Sequence, residues 1–451
     1  MSADNKSIES TQAFVDWFIK NGGEFSSDLV KVGDNVDGMG RGLVAVADIK
    51  PQQSLFSIPR HIVLSTKTSA FKDVVGNDVY AQLQNGDEAN WTPLIMAMCW
   101  EYLQGESSKW HSYFSILPDQ FTSLMFWPKQ DLDLLKGTTV ITRIGLEDIE
   151  AEYGRVSQII KTNHNVFGDS QRYSLDLFKR MGSLILSRSF TVLDWKPEEE
   201  NEDGESDEEE EVDLRTSVDV VSMVPMADIL NARSDSANAH TEYEEHNLRM
   251  IALKDIKAGE QVFNTYDDPP NSDLLRRYGH VDYTPLSKDS EYMGNRYNVA
   301  EIPADLILEK ALPNANEKMK ERRVEFLLDE CGEDVFEITN DDAVPDLLKI
   351  CVVLFTLPDT DFKKHEKSRK VPKASVFSKE NAELLAKAIK ERIEQYGGVL
   401  EDDIAKLDKS DTLSQNQFNA LVLTVGERRI LTKALEELDK NDYSQKKQRV
   451  N

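Results

Sequence analysis

Residues 259–279 read GEQVFNTYDDPPNSDLLRRYG. An apolar run typical of a strand ends at Tyr266, an acidic turn with two prolines follows, and a short helix ends at Tyr278. This order predicts a strand, a turn and a helix that bring the two phenols near one another. Taken alone, tyrosines in such positions are more often core residues than catalytic ones.

The segment MVPMADILNA, residues 223–232, precedes that strand along the chain. Asp228 and Asn231 are polar residues in an otherwise apolar run, so burial requires each of them to find a hydrogen-bonding partner. A structural cap and a ligand contact both explain the pattern. Tyr243 follows in a stretch of alternating apolar residues, which predicts further short strands.

Two earlier segments carry candidate binding residues. In GMGRGL, residues 38–43, glycines occupy every second position, which allows a close approach of the backbone to a ligand; a plain hairpin turn is the simpler interpretation. In SRSF, residues 187–190, Arg188 ends an apolar helix. Its planar guanidinium suits a ligand carboxylate, whereas a cation at a helix C-terminus also has an ordinary electrostatic explanation.

In this order along the chain, the four segments resemble those of the SET-domain lysine methyltransferases. The resemblance is to the branch typified by the Rubisco large-subunit methyltransferase, and within it to the fungal ribosomal lysine methyltransferases and their animal relatives. It spans about residues 25–290, and the C-terminal helices match in position and pattern. The expected fold class is therefore α+β: a SET-domain β-fold of small sheets with a long helical insertion, followed by an all-helical C-terminal domain.

The same resemblance implies a division of the chain into four parts. These are residues 1–90, an N-terminal helix and the first part of the SET domain; residues 91–215, the helical insertion; residues 216–295, the second part of the SET domain with the active site; and residues 296–451, a helical substrate-binding domain.

The resemblance also implies one site that binds S-adenosylmethionine and a lysine side chain. Its members are Tyr266 as the catalytic tyrosine, Gly40, Arg41, Gly42, Arg188, Asn231 and Tyr278 as cofactor contacts, and Phe190, Asp228 and Tyr243 as residues lining the lysine channel. Two positions depart from the family pattern. Ala232 stands where the family has a histidine, and Asp267 stands where a glycine often follows the catalytic tyrosine.

The charge balance bears on partners. Lys plus Arg total 53 against 81 Asp plus Glu, which gives a net charge of -28. Such a surface repels phosphate backbones and attracts basic proteins, so direct binding of nucleic acid is not expected. From Glu198 to Asp213 most residues are acidic and none is basic, which predicts a disordered loop. This loop is either a solvated insertion without a function or a segment that attracts a Lys/Arg-rich substrate electrostatically.

The three cysteines, Cys99, Cys331 and Cys351, form no Cys-x-x-Cys pair, so no disulfide framework or cysteine-built zinc site is expected. No apolar run approaches the roughly 20 residues needed to cross a bilayer. These features predict a soluble protein of a reducing compartment, the nucleus or also the cytoplasm, without a metal or a membrane partner. A monomer is expected, although no sequence feature bears on the oligomeric state.

The expected function is transfer of a methyl group from S-adenosylmethionine to a lysine of a basic protein, with a large-subunit ribosomal protein as the specific substrate. Three alternatives stay open. The same fold acts on a nuclear protein or histone lysine, or on a histidine. The chain is a catalytically silent SET-like module that binds basic peptides. The third alternative is an acidic chaperone for basic proteins, a function that would require only the negative charge of the chain.

Overall fold

The computed structural model describes residues 3–85, 91–193, 219–233, 235–285 and 294–440, so the predicted acidic loop at 198–213 lies outside the described residues. The chain divides into two compact units. The first comprises Met1–Phe121 with Gly145–Asp268, and the second comprises Thr122–Ile144 with Pro269–Asn451. Within the described ranges, no helix is long and apolar enough to cross a membrane.

The strands are short, and the named strands pair antiparallel. They are β1 (Glu24–Phe25), β2 (Val30–Gly33), β3 (Gly42–Ala45), β4 (Ser54–Pro59), β5 (Ser189–Leu193), β6 (Asp219–Met223), β7 (Ala239–Tyr243), β8 (Asn247–Ala252), β9 (Gln261–Val262), β10 (Val299–Pro303) and β11 (Val335–Thr339). In the first unit they form three small sheets with the orders β1-β4-β8-β7, β2-β3-β9 and β5-β6. The second unit holds the pair β10-β11.

Helices account for much of the remainder. They are α1 (Ala3–Lys20), α2 (Phe71–Val75), α3 (Asn77–Gln84), α4 (Trp91–Leu103), α5 (His111–Phe114), α6 (Lys129–Leu132), α7 (Leu146–Thr162), α8 (His164–Phe167), α9 (Leu175–Arg188), α10 (Asn271–Asp273), α11 (Ala304–Ala311), α12 (Glu317–Cys331), α13 (Asp346–Thr356), α14 (Asp359–Ser368), α15 (Lys379–Tyr396), α16 (Leu400–Leu407) and α17 (Gln415–Lys440). Small sheets with helical segments between and after them are the architecture that the sequence predicts.

One apolar core organises the first unit. The amphipathic helix α1 buries Phe14 and Phe18 completely, and full burial of such a side chain stabilises the fold by about 1.5–3 kcal/mol. Helix α4 is buried along most of its length, as its run of apolar residues predicts. Helix α9 is capped by Ser174, whose hydroxyl accepts a hydrogen bond from the backbone N–H of Leu177. Its last residue is Arg188, so this helix delivers a candidate site residue to the start of β5.

The second unit is mostly helical, as expected, but it also contains a sheet that helical periodicity does not predict. In β11 the alternating burial of Phe336 and Ile338 is the two-residue period of a half-buried strand. Ser378 and Asn381 cap α15 as a reciprocal capping box. Thr122–Ile144 and the residues from Pro269 onward group with this unit. The four-part division of the sequence stays a prediction.

Candidate functional site

The glycine loop lies between β2 and β3. Gly38 and Gly40 have φ angles of +78° and +79°, which a residue with a side chain adopts only at a cost. The N–H of Val36 donates to the carbonyl of Gly40 at 2.8 Å and closes the turn. Nothing lies within 4 Å of where a Cβ would stand on Gly40, so the loop backbone is open on that side.

Asn231 locks this loop to the neighbouring strand. Its Nδ2 donates to the carbonyl of Arg41 at 3.0 Å and to Oε1 of Gln261 at 2.7 Å. A Cβ on Gly42 would stand 2.9 Å from that nitrogen and 2.7 Å from the Gln261 oxygen, so only glycine fits there without displacing either amide. Both N–H donors of Asn231 are used within the protein, which leaves its Oδ1 as the atom able to accept from a ligand.

Arg41 anchors the loop from its other side. Its guanidinium donates to the Thr11 hydroxyl at 2.9 Å, to the Ser7 hydroxyl at 3.1 Å and to the Ile116 carbonyl at 2.6 Å. It also lies 3.4 Å from the Asp34 carboxylate. With its side chain occupied in this way, Arg41 contributes to the candidate site chiefly through its backbone, which is the mode that the family resemblance implies.

Asp228 is a fully buried carboxylate beside the loop. Its Oδ2 accepts from the Tyr113 hydroxyl at 2.7 Å, and its Oδ1 has no hydrogen-bond partner among the described residues. Burial raises the pKa of Asp228 from 3.8 to about 6, against the opposing effects of Arg188 and the Tyr113 hydroxyl. Burial and this carboxylate together raise the pKa of Tyr113 well above its ordinary value. The Tyr113 phenol therefore keeps its proton and donates it to the Asp228 carboxylate as a hydrogen bond.

Arg188 and Tyr266 both donate hydrogen bonds to the backbone of the segment 228–230. Arg188 donates to the backbone carbonyl of Asp228 at 2.7 Å. The half-buried Tyr266 donates its hydroxyl to the backbone carbonyl of Leu230 at 3.0 Å. Because Asn231 is the next residue and holds the glycine loop, the predicted loop, amide, arginine and phenol converge in one unit.

A cleft of about 1120 Å³ opens beside this convergence. Gly40, Arg41, Arg188 and Asp228 are among its lining residues. Its size lies at the upper end of small-molecule sites, so a nucleoside-sized ligand fits with room to spare.

Gly42, Asn231 and Tyr266 do not line the cleft. Gly42 and Asn231 adjoin the lining residue Arg41 along the chain and by hydrogen bond, and Tyr266 donates to Leu230, which follows the lining residue Ile229.

Three further predicted residues are neither in the lining nor joined to it by these contacts. Phe190 lies on β5 and Tyr243 ends β7; both are half-buried against the core of the first unit. Tyr278 belongs to the second unit, where it ends the π-helical turn Leu274–Tyr278 that follows α10. Their proposed roles as channel and cofactor residues stay predictions.

The two departures from the family pattern have structural explanations. Asp267 has a φ of +63°, the left-handed conformation that glycine adopts most easily and that Asp tolerates better than most residues. Its N–H donates to the Thr265 hydroxyl at 3.0 Å, which supports the turn. Ala232 is 9% exposed, so a small apolar residue is accommodated at the position of the family's histidine.

Two residues of the site are absent from the sequence-based prediction. Tyr113 pairs with Asp228 across 115 positions of sequence, and Gln261 links Asn231 to Asp37, to whose Oδ2 its Nε2 donates at 3.1 Å. The only signal for Gln261 is a polar residue at the start of a buried strand. Tyr113 has no local signal, since the segment WHSYF is typical of any amphipathic helix.

The geometry can be compared with known proteins. The SET domain family model matches residues 40–267, more than half of the chain, and the model described as Rubisco LSMT substrate-binding matches residues 314–431. The chain is 35% identical to ribosomal lysine N-methyltransferase 4 of Saccharomyces cerevisiae over 335 residues, which covers 71% of this chain and 62% of that protein. It is 28% identical to N-lysine methyltransferase SETD6 of Homo sapiens over 426 residues, covering 88% and 84%.

The fold has counterparts among solved structures. A structure titled as the SET domain of LSMT bound to lysine and AdoHcy superposes with a TM-score of 0.69 at 20% identity, covering 95% of this chain and 91% of that one. A structure of Rubisco LSMT bound to AdoMet gives a TM-score of 0.63 at 21% identity with the same coverage. The chain spans about three-fifths of the length of the yeast relative and of a Salmo salar relative, N-lysine methyltransferase setd6, which is 31% identical.

Proposed function

The chain belongs to the SET-domain family, and from that premise we propose that it is a protein-lysine N-methyltransferase that uses S-adenosylmethionine. The observation that carries the proposal is the convergence of a glycine loop, an amide and a phenol on one short segment. Asn231 holds the carbonyl of Arg41, and Tyr266 holds the carbonyl of the preceding residue, Leu230. The names of the relatives and of the solved structures point to the same chemistry.

The residues present fit the cofactor. The backbone at Gly40 has open space beside it in which a ligand can lie against the main chain, while at Gly42 the main chain is packed against the side-chain amides of Asn231 and Gln261. Arg188 lines the cleft and offers a cation for a carboxylate, and Asn231 offers an oxygen for an amino group. Tyr278 is proposed as a further contact by family analogy.

When bound, S-adenosylmethionine supplies an electrophilic methyl group on a sulfonium. The protein's own task is then to present a neutral lysine amine in line with that methyl. Because free lysine has a pKa near 10.4, removing its proton at pH 7 costs roughly 4–5 kcal/mol. Burial in a channel lined by Phe190 and Tyr243 lowers this cost by disfavouring the charged amine.

Tyr266 is proposed to orient the amine rather than to remove its proton, since a phenol with a pKa near 10 is a poor base at neutral pH. Its hydroxyl is already aimed at the backbone carbonyl of Leu230, one residue before Asn231. The proton leaves to solvent. Arg188 donates to the backbone carbonyl of Asp228 and so holds the segment that is proposed to face the reacting groups.

The proposed substrate is a basic protein, and specifically a large-subunit ribosomal protein, with the nucleus as the site of action and the cytoplasm as a second location. The net charge of -28 supports a Lys/Arg-rich target because it steers such proteins toward the enzyme. The name of the yeast relative supports the ribosomal choice.

A test incubates the purified protein, labelled S-adenosylmethionine and large ribosomal subunits from cells that lack the protein. We expect label in one ribosomal protein, and mass spectrometry to find it on a lysine. Label on a histone or another nuclear protein would show that the proposed substrate is wrong. Label on a histidine would show that the proposed target side chain is wrong. Peptide binding without transfer would favour the silent module and overturn the enzymatic proposal.

A further inference from the structure

A second cavity, of about 300 Å³, lies within the C-terminal unit. It is walled on one side by α17, through Gly426, Arg429 and Lys433, and on another by the apolar side chains of Leu400 and Ile404 from α16. All of its lining residues belong to this one unit, and none of them belongs to the proposed methyl-transfer site.

Asn298 points an unused donor into this cavity. Its side chain is 7% exposed, and its Oδ1 accepts from the backbone N–H of Asn271 at 2.9 Å, which fixes the orientation of the amide. The Nδ2 lies 3.6 Å from the position of a Cβ on Gly426 and donates to no acceptor among the described residues. This nitrogen is therefore available to an acceptor group that enters the cavity.

Arg429 is the second unused donor. It is half-buried and lines the cavity, yet it makes no hydrogen bond or ion pair within the ranges that the structure describes. Burial lowers the pKa of its guanidinium. The neighbouring Arg428 behaves in the opposite way, because it binds the Asp403 carboxylate at 2.6 Å.

Lys433 adds a second cation one helical turn beyond Arg429, so both lie on the same face of α17. Its Nζ donates to the Asn340 carbonyl at 2.9 Å, which holds it at the cavity wall. Glu436 also lines the cavity, but its carboxylate faces Lys440 at 3.4 Å. The cavity is thus rich in donors and positive charge on one wall and apolar on the other.

We infer that this cavity is an anion site that binds a carboxylate or phosphate group, with Arg429 and the Asn298 amide donating to the oxyanion. Guanidinium and amide N–H groups suit the oxygens of either group. The wall formed by Leu400 and Ile404 accommodates an apolar portion of the same ligand. The anion comes either from an acidic side chain of a bound protein or from a free small anion. The inference is independent of methyl transfer, since it uses no residue of that site.

Calorimetric titration of the full chain tests the inference with two probes, inorganic phosphate and the blocked dipeptide acetyl-Leu-Glu-amide. Acetyl-Leu-Gln-amide is the uncharged control. We expect at least one anionic probe to bind and the uncharged one not to. Binding of the dipeptide supports an acidic protein side chain as the ligand, and binding of phosphate alone supports a free anion. Binding of neither probe overturns the inference.

Three variants make the test specific. Arg429→Gln should lower the affinity of the binding probe at least about tenfold, as expected for a charge-assisted hydrogen bond. Gly426→Ala should also weaken binding, because its methyl would fill space beside Asn298, while it leaves the helix at least as stable. Arg369→Gln is the matched control, since Arg369 pairs with Asp329 and Glu330 outside the cavity.

The stability of Arg429→Gln in the absence of a probe tests separately whether Arg429 has a partner within the protein. An arginine that lacks a protein partner can be neutralised without loss, so we expect the urea midpoint of this variant to equal or exceed that of the wild type. A clear drop in the midpoint would mean that the protein itself satisfies Arg429, and it would overturn the inference, as would unchanged affinity in this variant.

Discussion

Replacement of Asp228 by Asn should change how the stability of the protein depends on pH. The carboxylate is fully buried, accepts one hydrogen bond from Tyr113, and has an unpartnered Oδ1. Burial raises its pKa from 3.8 to about 6. A raised carboxyl pKa means that the folded state binds the proton more tightly than the unfolded state. The protonated form of Asp228 therefore stabilises the fold at low pH, and this contribution is lost as the pH rises through about 6.

The magnitude follows from the shift. A change from 3.8 to about 6 corresponds to roughly 3 kcal/mol in total, at 1.36 kcal/mol per pKa unit. Between about pH 5 and pH 7 the wild type should lose about 1.3 kcal/mol of this amount, because most of the remaining change falls below pH 5. The Asn variant keeps the shape of the side chain and an acceptor for Tyr113 but cannot ionise. Between about pH 5 and pH 7 the free energy of unfolding of the Asn variant should therefore rise by about 1.3 kcal/mol relative to that of the wild type.

Urea unfolding of both proteins at several pH values between about 5 and 7 measures the difference. Asp255→Asn serves as the control, since it makes the same chemical change at an exposed residue paired with Lys50, where the effect on stability should be small. Parallel curves for wild type and Asp228→Asn across this range would refute the reasoning, because they would mean that Asp228 has the same pKa in the folded and unfolded states.

Three further predictions concern other parts of the molecule. Burial raises the pKa of Glu427, which is hydrogen-bonded to Tyr396, from 4.5 to about 8. The protonated carboxyl stabilises the folded state at low pH, and this stabilisation is lost as the pH rises from about 4.5 to about 8. Between low pH and about pH 9 the stability of Glu427→Gln should therefore rise by a few kcal/mol relative to the wild type, as measured by urea midpoints. Gly42→Ala should displace the amides of Gln261 and Asn231 and weaken S-adenosylmethionine binding about tenfold by calorimetry, with the fold retained in circular dichroism. Raising the ionic strength should lower kcat/KM for a basic protein substrate but barely change it for free lysine, if steering by net charge operates.

Much of the site was predictable from the sequence because its motifs are local. The helix that ends at Arg188 follows from apolar periodicity and a stop signal within a few residues. The prediction of a strand that ends at Tyr266 is wrong in its end, because β9 ends at Val262, four residues earlier. The polar residues Asp228 and Asn231 stand out in an apolar run, and the structure gives both of them partners of the expected kind.

Other parts were not predictable because they depend on contacts between distant segments. Tyr113 becomes part of the site only when the helical insertion packs against the segment that holds Asp228. The partners of Arg41, on α1 and near Ile116, likewise leave no local trace. The sheet β10-β11 joins strands that are 32 or more positions apart, and periodicity within one short strand is a weak signal among strong helices.

The most direct test of the central claim is methyl transfer by Tyr266→Phe alongside calorimetric binding of S-adenosylmethionine. The hydroxyl of Tyr266 is proposed to orient the amine and not to hold the cofactor. We therefore expect cofactor affinity close to that of the wild type and a rate of lysine methylation lowered about a hundredfold or more, as is usual when an orienting group is lost. Transfer at the wild-type rate in this variant would contradict the account.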